Sequence, residues 1–425
     1  MKASRLFGYF LICMGLLTAL LAGGIDGQNP TAREQLGSLR RALRDARDKS
    51  EWDNYRARAI EIRALLNGSP NALLEVAKAD LKLGRVVEAR AEVQHVLDMG
   101  QADESLVAAP FDGFHDVAES LAANRRPVLR GNAVWEIEDS GLLPEDIDFD
   151  PTTHRFFLTS VLEKKIVWLD AGGKARNFAS SPSAWPMLGL KVDANRRRLW
   201  ATEVALENFS LTPKAEWGRS ALLCYELDKG NLLFRIEGPE HSALGDMVLM
   251  PDGTPVLSDG AGGGVYRLRD NKTLERLDGG EFISPQTPAI DAEGKYLFVP
   301  DYLRGIAVLN LSTRQLHWLS MEAKFALNGV DGLYLVHEKL LAVQNGTSPE
   351  RVVEFALDAA REKVVSQNVI EASTKTLGDP THGVVVGSDF YYIANSGWDT
   401  LDDHGEHVAG VKASPARIMH ATLTK

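Results

Sequence analysis

Cysteine is scarce in this 425-residue sequence, which contains only Cys13 and Cys224. Two cysteines cannot form a dense disulfide framework, so that class of protein is excluded. Cys224 lies in the apolar run 221–225, where a buried, unreactive thiol is expected. Positive charge is also in the minority, with 47 Lys and Arg against 58 Asp and Glu and a net charge of −11. An acidic surface repels phosphate backbones, so we expect no nucleic-acid partner.

The N-terminus carries an apolar run at positions 6–22. Lys2 and Arg5 precede this run, and the small residues Ala22, Gly23 and Gly24 end it. A positive start, a short apolar centre and a small-residue exit predict a signal peptide over residues 1–24 and export to the periplasm or the medium. The run is at the lower limit for crossing a bilayer, so an uncleaved membrane anchor is the alternative.

A helical module is predicted over residues 31–125. Leu36, Leu39 and Leu43 recur at the spacing of one helical face, and similar patterns follow. The stretch 69–100 has a turn at Gly84 between two helical patterns. It resembles a tetratricopeptide repeat, whose period is about 34 residues. That resemblance implies a surface for a protein partner, whereas the alternative is a helical hairpin domain without a binding groove.

After Arg130 the hydrophobic period changes from that of a helix to that of a strand. Six segments then share one pattern, in which an alternating strand, a tight polar turn and a second strand follow one another. These segments start at Asp146, Gly189, Asp246, Pro288, Gly332 and Gly383. A recurrence every 42–57 residues with four strands per unit predicts a six-bladed β-propeller over residues 132–425. Two packed β-sandwiches, the alternative, do not require a shared hairpin at six places.

The last blade lacks one strand at the C-terminal end of the chain. Only the segment near residues 416–423 follows its inner hairpin. We therefore expect the segment near Val134–Ile137 to pair with the strand near Ile418–Ala421, because that pairing closes the ring and removes exposed sheet edges.

Polar residues recur at one end of the predicted blades. In a propeller, the start of the innermost strand and the end of the second strand lie on the same face. The residues at these positions are Glu145, Asp246, Gln286, Asp331 and His382 at strand starts, and Glu203, Asp259, Asp301, Asn345 and Asn395 at strand ends. Such a ring can supply the six to eight oxygens that Ca²⁺ prefers. Alternatively, each side chain only satisfies the backbone amides of a loop.

Three residues at this face carry separate expectations. His382 can be a general base, a metal ligand or the cap of a turn. Trp185 and Trp398 lie in loops of the same face, where they are expected either to line an apolar substrate wall or to be buried in packing.

The motifs "LPEDIDFD", "SPQTPAID" and "NGVDGLYLV" resemble the senescence-marker-protein/gluconolactonase family and, more distantly, the paraoxonases. The resemblance implies a six-bladed propeller with a divalent metal, usually calcium, at one mouth of the central channel. It implies Glu145 and Asp331 as metal ligands, with Gln286 where the family has Asn and Asp331 also as the base in lactone hydrolysis. Asp246, in "LGDMVLM", is the oxygen donor of blade three, whereas the opening of blade two offers none.

Two functions of different classes follow. The first is a metal-dependent hydrolase of lactone or ester bonds acting on a small-molecule substrate, in which Asp331 or His382 activates water. The second is a non-catalytic propeller that binds a small ligand or a partner protein, with the helical module as its docking arm.

Overall fold

The computed structural model describes residues 29–137, 139, 141–321, 324–411 and 415–423. The predicted signal peptide or anchor at residues 1–24 lies outside the described residues. Within the described part of the chain, no helix combines the length and the apolar character needed to cross a membrane. Cys224 is fully buried, and burial raises the pKa of its thiol to about 12, as expected for an unreactive cysteine.

Within the described residues, the N-terminal region contains five α-helices. They are α1 (Ala32–Asp48), α2 (Trp52–Leu65), α3 (Pro70–Lys82), α4 (Val86–Asp98) and α5 (Val117–Asn124), with a 3₁₀ turn at Glu104–Val107. Helix α1 starts at a capping box, in which Thr31 accepts from the amide of Glu34 and the Glu34 carboxylate accepts from the amide of Thr31. The first four helices pack consecutively, each against the next in the chain. Their relation to tetratricopeptide repeats stays a prediction.

The rest of the chain is a six-bladed β-propeller, so the predicted fold class is confirmed. Four blades are built from four consecutive strands each. Blade one has β3 (Pro144–Asp150), β4 (Arg155–Ser160), β5 (Lys165–Leu169) and β6 (Ala175–Ser180). Blade two has β7 (Met187–Asp193), β8 (Arg198–Val204), β9 (Ser220–Glu226) and β10 (Leu232–Glu237). Blade three has β11 (Leu244–Leu249), β12 (Pro255–Asp259), β13 (Gly264–Arg269) and β14 (Thr273–Arg276). Blade four has β15 (Ala289–Ile290), β16 (Tyr296–Asp301), β17 (Gly305–Asn310) and β18 (Leu316–Trp318).

The last two blades recruit strands from elsewhere in the chain. Blade five has β20 (Val330–Val336), β21 (Lys339–Gln344), β22 (Arg351–Leu357) and β23 (Lys363–Ala372), and β1 (Val128–Leu129) and β19 (Ser320–Met321) also pair with β23. Blade six has β24 (Gly383–Val386), β25 (Asp389–Asn395), β26 (Ala416–Thr422) and, as its outer strand, β2 (Asn132–Ile137).

The pairing of β2 with β26 closes the ring. The register places Trp135 opposite Ile418 and Glu136 opposite Arg417, and the guanidinium of Arg417 also donates to the Glu136 carboxylate. The pairing expected between the two ends of the propeller is therefore confirmed. Ring closure gives blade six four strands, as in blades one to four.

The turns within the inner hairpins follow from short polar residues. In blade three, the Asp252 carboxylate accepts from the amide of Thr254 while Gly253 has a φ of 78°. In blade four, Asp291 accepts from the amide of Lys295 while Gly294 has a φ of 68°. An Asp that bonds its own turn, followed by a Gly in the left-handed region, predicts such a connection.

The hydrophobic core lies between the faces of neighbouring blades. Between blades one and six, Ile147 and Leu158 pack with Ile393 and Ile418, and all four are fully buried. Burying one such side chain stabilises the fold by about 1.5–3 kcal/mol. Because each interface repeats this arrangement, the blades hold one another in place and fix the channel between them.

The helical region packs on the face of the propeller where the innermost strands begin. The amide of Ala32 donates to the carbonyl of Gly280 at 2.9 Å, and Arg304 donates to the carbonyl of Leu65 at 2.8 Å. Leu36 of α1 shares a hydrophobic cluster with Ile283, which precedes blade four. The first helix is thereby placed beside the channel mouth.

Candidate metal centre at the channel mouth

Backbone bulges place the acidic residues at the starts of the innermost strands. In blade one the register shifts between Pro144 and Ile147, so Glu145 and Asp146 together oppose a single residue of β4. In blade five the register shifts between Val330 and Gly332, which makes Asp331 the extra residue. A bulge bends a strand and re-aims a side chain, and here it occurs at Glu145 and Asp331, two of the four predicted metal ligands.

Glu145, Asp331 and His382 come together at the channel mouth. One potential ligand atom from each lies within 4.8 Å of the others. The two strands that carry the carboxylates belong to blades one and five, and His382 directly precedes β24 of blade six. Three residues far apart in sequence thus form one cluster, and it unites three of the five strand-start residues that the sequence singled out.

Each of the two carboxylates has one neutral hydrogen-bond donor. The indole Nε1 of Trp398 donates to Oε2 of Glu145 at 2.5 Å. The amide Nδ2 of Asn345 donates to Oδ2 of Asp331 at 2.8 Å, and Asn345 in turn accepts from the hydroxyl of Tyr302 at 2.9 Å. These donors orient both carboxylates without neutralising them.

His382 is held through both ring nitrogens. Nδ1 lies 2.8 Å from the backbone oxygen of Glu145, and Nε2 lies 2.8 Å from Oδ1 of Asp246 and 2.7 Å from the hydroxyl of Thr287. Burial opposes a charge on this ring, but the carboxylates of Asp146, Asp331 and Asp246 outweigh it and raise the pKa of His382 well above its ordinary value. Both ring nitrogens therefore face oxygen atoms of other blades. A turn-capping role does not describe these contacts.

Two of the acidic residues have cationic partners and two do not. Asp146 pairs with Lys191 at 2.7 Å inside the channel, and Asp246 pairs with His382. Within the described part of the chain, neither Glu145 nor Asp331 forms an ion pair with a Lys or Arg. The charge of this pair is therefore opposed by the nearby ring of His382 and by no ion pair with a Lys or Arg of the described residues.

The pKa values of the pair reflect this arrangement. Burial, reinforced by the charge of Asp331, raises the pKa of Glu145 to about 8. Burial also raises the pKa of Asp331 to about 7, with His382 acting in the opposite direction. Two buried carboxylates at this distance cannot both be charged at neutral pH without a cation between them. Paired carboxylates are also the donors that a hard divalent cation prefers, so these residues fit such an ion.

The cluster opens into a cavity of about 190 Å³. Its acidic end is formed by Glu145, Asp246 and Asp331, and Gln286 also lines it. The amide Nε2 of Gln286 donates to the hydroxyl of Ser284 at 3.1 Å, so its contacts are with blade four and not with the carboxylate pair.

The residues at the ends of the second strands mostly serve their own loops. Asp259 accepts from the amides of Ala243 and Gly262, and Asp301 accepts from those of Ile283 and Ser284. For these two the loop-satisfying alternative is correct. The Glu203 carboxylate likewise accepts from Ser183 and Arg235, and Asn395 donates to the carbonyl of Pro415. Asn345 is the member of this group that reaches the cluster.

The two tryptophans have different places. Trp398 lines the cavity and bonds Glu145. Trp185 is buried, and the guanidinium groups of Arg219 and Arg235 lie over its ring at 5.1 and 5.2 Å. Trp398 is thus both buried in packing and part of the cavity lining, whereas Trp185 is buried outside that lining, and a contact of either with a substrate stays a prediction.

Comparisons with known proteins find structures of similar fold but do not assign the chain to a family. No family model and no curated protein sequence matches the chain. A calcium-binding protein, regucalcin, from Agrobacterium tumefaciens shares 14% identity over 68% of this chain and 94% of its own, with a TM-score of 0.48. A gluconolactonase from Xanthomonas campestris shares 13% identity over 71% and 92%, with a TM-score of 0.47. A putative glucose dehydrogenase from Thermus thermophilus shares 14% over 69% and 99%, with a TM-score of 0.46. At these values the similarities carry no argument about chemistry.

Proposed function

We propose that this protein is a hydrolase of lactone or ester bonds that depends on a divalent cation, with Ca²⁺ as the best candidate. The observation that carries the proposal is the buried pair Glu145 and Asp331, which has hydrogen-bond donors but no ion pair among the described residues. A cation held by these two carboxylates would remove their repulsion. Asp246 and Gln286, which line the same cavity, are the further oxygen donors nearby.

A bound cation would polarise the carbonyl of a substrate. The residues of the chain supply the rest of the chemistry. Asp331, freed of its proton, accepts a proton from water as the water oxygen bonds to the acyl carbon. The acyl–oxygen bond then breaks and the leaving oxygen takes up a proton, giving a carboxylic acid and a hydroxyl group. His382 is assigned a positioning role, because both of its nitrogens hold other groups in place.

The proposal is tested with the full chain and a panel of sugar lactones and 4-nitrophenyl esters. Proton release is followed with calcium and with a chelator. Asp331→Asn should abolish hydrolysis, whereas Asp252→Asn, the same change in an exposed turn of blade three, should leave it intact. Calcium binding without hydrolysis of any member would favour the second candidate, a ligand-binding propeller. In that case the helical region would be the arm for a partner protein.

We also propose that the protein is exported, on the strength of the N-terminal pattern alone. N-terminal sequencing of the natural protein should then begin between Gly23 and Asn29. Recovery of Met1 from a membrane fraction would instead support the anchored form.

A further inference from the structure

One wall of the cavity comes from outside the propeller. Arg33, Leu36, Gly37 and Arg40 of helix α1 line it, together with residues of the blades. Their spacing of three, four and seven residues places them on one helical face. Helix α1 therefore covers the mouth in addition to packing against it.

Gly37 is an unusual residue for its place in the helix. It is the only glycine in the five α-helices of the described residues. Gly68, Gly84 and Gly100 follow helices with φ values of 71°, 73° and 79°, a left-handed conformation that favours glycine. Gly37 instead lies inside α1, with helical backbone on either side. Glycine is less favourable in a helix interior than any residue except proline, so its presence there needs another reason.

The missing side chain of Gly37 makes the backbone of α1 part of the cavity wall. Glycine has only backbone atoms, so these are the atoms with which Gly37 lines the cavity. Gly37 is buried, whereas the neighbouring Ser38 is exposed to solvent. A side chain at position 37 would therefore occupy part of the cavity, and one at position 38 would lie outside it.

Two separate hydrophobic clusters border the same cavity. Leu188, Leu206 and Trp398 belong to one cluster, and Leu36 of α1 and Ile283 belong to another. All five residues line the cavity, which thus lies between two apolar surfaces. An apolar group placed there would remove surface of both clusters from water, and this burial favours binding.

We propose that Gly37 determines how large an apolar group of the substrate the site accepts. This group would lie between α1 and the cluster of Trp398, while the bond to be hydrolysed lies at Glu145 and Asp331. The reaction in this statement rests on the proposed function, whereas the recognition of the apolar group does not. Esters or lactones with an apolar chain fit these walls better than sugars do, because each buried hydroxyl group of a sugar needs a hydrogen-bond partner.

The test is a calorimetric titration of the full chain with 1-butanol, 1-hexanol and 1-octanol, which share a hydroxyl group and differ in apolar length. Burial of two more methylene groups should make hexanol bind at least about 10-fold more tightly than butanol to the wild type. Gly37→Leu should bind hexanol and octanol at least about 10-fold more weakly than the wild type and should bind butanol equally well. Ser38→Leu is the matched control, because it adds the same side chain at an exposed position of the same helix, and it should bind all three alcohols as the wild type does.

Gly37→Ala covers the case in which Gly37→Leu fails to fold. It should melt at or above the temperature of the wild type, because alanine favours a helix, and it should bind octanol more weakly. A lower melting temperature would mean that Gly37 serves the packing of α1, which overturns the inference. A wild type that binds the three alcohols equally, or a Gly37→Leu variant that binds hexanol as tightly as the wild type, would also overturn it.

The same measurements separate this inference from the proposed function. A preference for longer alcohols that depends on Gly37, in a protein that hydrolyses no ester, would uphold the inference and remove the proposed reaction. Ester hydrolysis without that dependence on Gly37 would do the reverse.

Discussion

The indole of Trp398 donates its hydrogen bond to the carboxylate of Glu145 across a separation of 253 residues in the sequence. Trp398 follows the second strand of blade six, whereas Glu145 opens blade one, so the bond crosses the seam at which the ring closes. Closure of the propeller and orientation of a candidate metal ligand therefore depend on the same side chain.

Trp398→Phe removes the donor and keeps most of the apolar volume. Because residues that orient a ligand typically contribute 10–100-fold to metal affinity, calcium should bind about 10-fold more weakly, as measured by calorimetry. The free energy of unfolding should fall by about 1 kcal/mol from the lost hydrogen bond. Trp168→Phe is the control, because Trp168 packs beneath Arg155 in the third strand of blade one and does not line the cavity. If Trp398→Phe binds calcium as tightly as the wild type, the hydrogen bond from Trp398 to Glu145 does not contribute to calcium binding.

The stability of the cation-free protein should fall as the pH rises. Glu145 and Asp331 have folded-state pKa values of about 8 and 7, above those of ordinary carboxyl groups. Between about pH 4, where ordinary carboxyl groups titrate, and about pH 8, the folded state therefore binds more protons than the unfolded chain. Its stability from this pair is fully present below about pH 4 and is lost as the pH passes through 7 and 8.

The measurement is the melting temperature in chelator between pH 5 and pH 9, compared with the same series in calcium. His382, whose pKa is also raised, acts in the same direction. In calcium, the melting temperature of the wild type should depend less on pH than in chelator. In chelator, the melting temperature of Asp331→Asn should depend less on pH than that of the wild type. A cation-free melting temperature that rises from pH 5 to pH 8 would contradict these assignments.

His382→Gln tests whether the ring of His382 positions its neighbours or acts as a base. Gln keeps a donor but loses the charge that faces Asp246, so we expect kcat to fall at least about 10-fold for any ester that the wild type hydrolyses. The acid limb of the pH profile should stay in place, because that limb belongs to Asp331. If the acid limb of the pH profile is absent in His382→Gln, the base is His382 and not Asp331.

Truncation before Ala416 tests ring closure. It removes β26, which lies between β25 and β2, and leaves two unpaired edges. Cooperative thermal unfolding should be lost or its midpoint should fall by more than about 10 °C. A chain that ends after Leu423 is the control, since it retains all of β26. Equal midpoints for the two truncated chains would count against the topology.

The sequence predicted the blades because the information for them is local. Strand alternation and turn residues such as Asp252 and Gly253 are read directly from neighbouring positions. The convergence of Glu145, Asp331 and His382 was predictable from blade geometry, which repeats.

Other features depend on contacts between segments that share no pattern. The bond from Trp398 to Glu145, the channel pair of Lys191 with Asp146 and the cover of the cavity by Arg40 were not predicted. To predict any of these contacts, one would need to know where a loop or helix lies relative to the ring of blades. The sequence also did not show that Asp259 bonds its own loop whereas Asn345 bonds Asp331 at the channel mouth. Both residues end a second strand, and a side chain at that position can reach either the loop or the channel.

The most direct test of the metal site is thermal unfolding during a calcium titration, made after chelation and at pH 8. A cation that binds only the folded wild type should stabilise it by about 2.7 kcal/mol at a 100-fold excess over its dissociation constant. Asp331→Asn should melt at a higher temperature than the wild type in chelator, because it removes one of two repelling carboxylates, and should show no shift with calcium. Asp252→Asn should behave as the wild type. A wild type that shows no shift with calcium, magnesium, manganese or zinc, or an Asp331→Asn variant that shifts as far as the wild type, would contradict the assignment of Glu145 and Asp331 as a cation site.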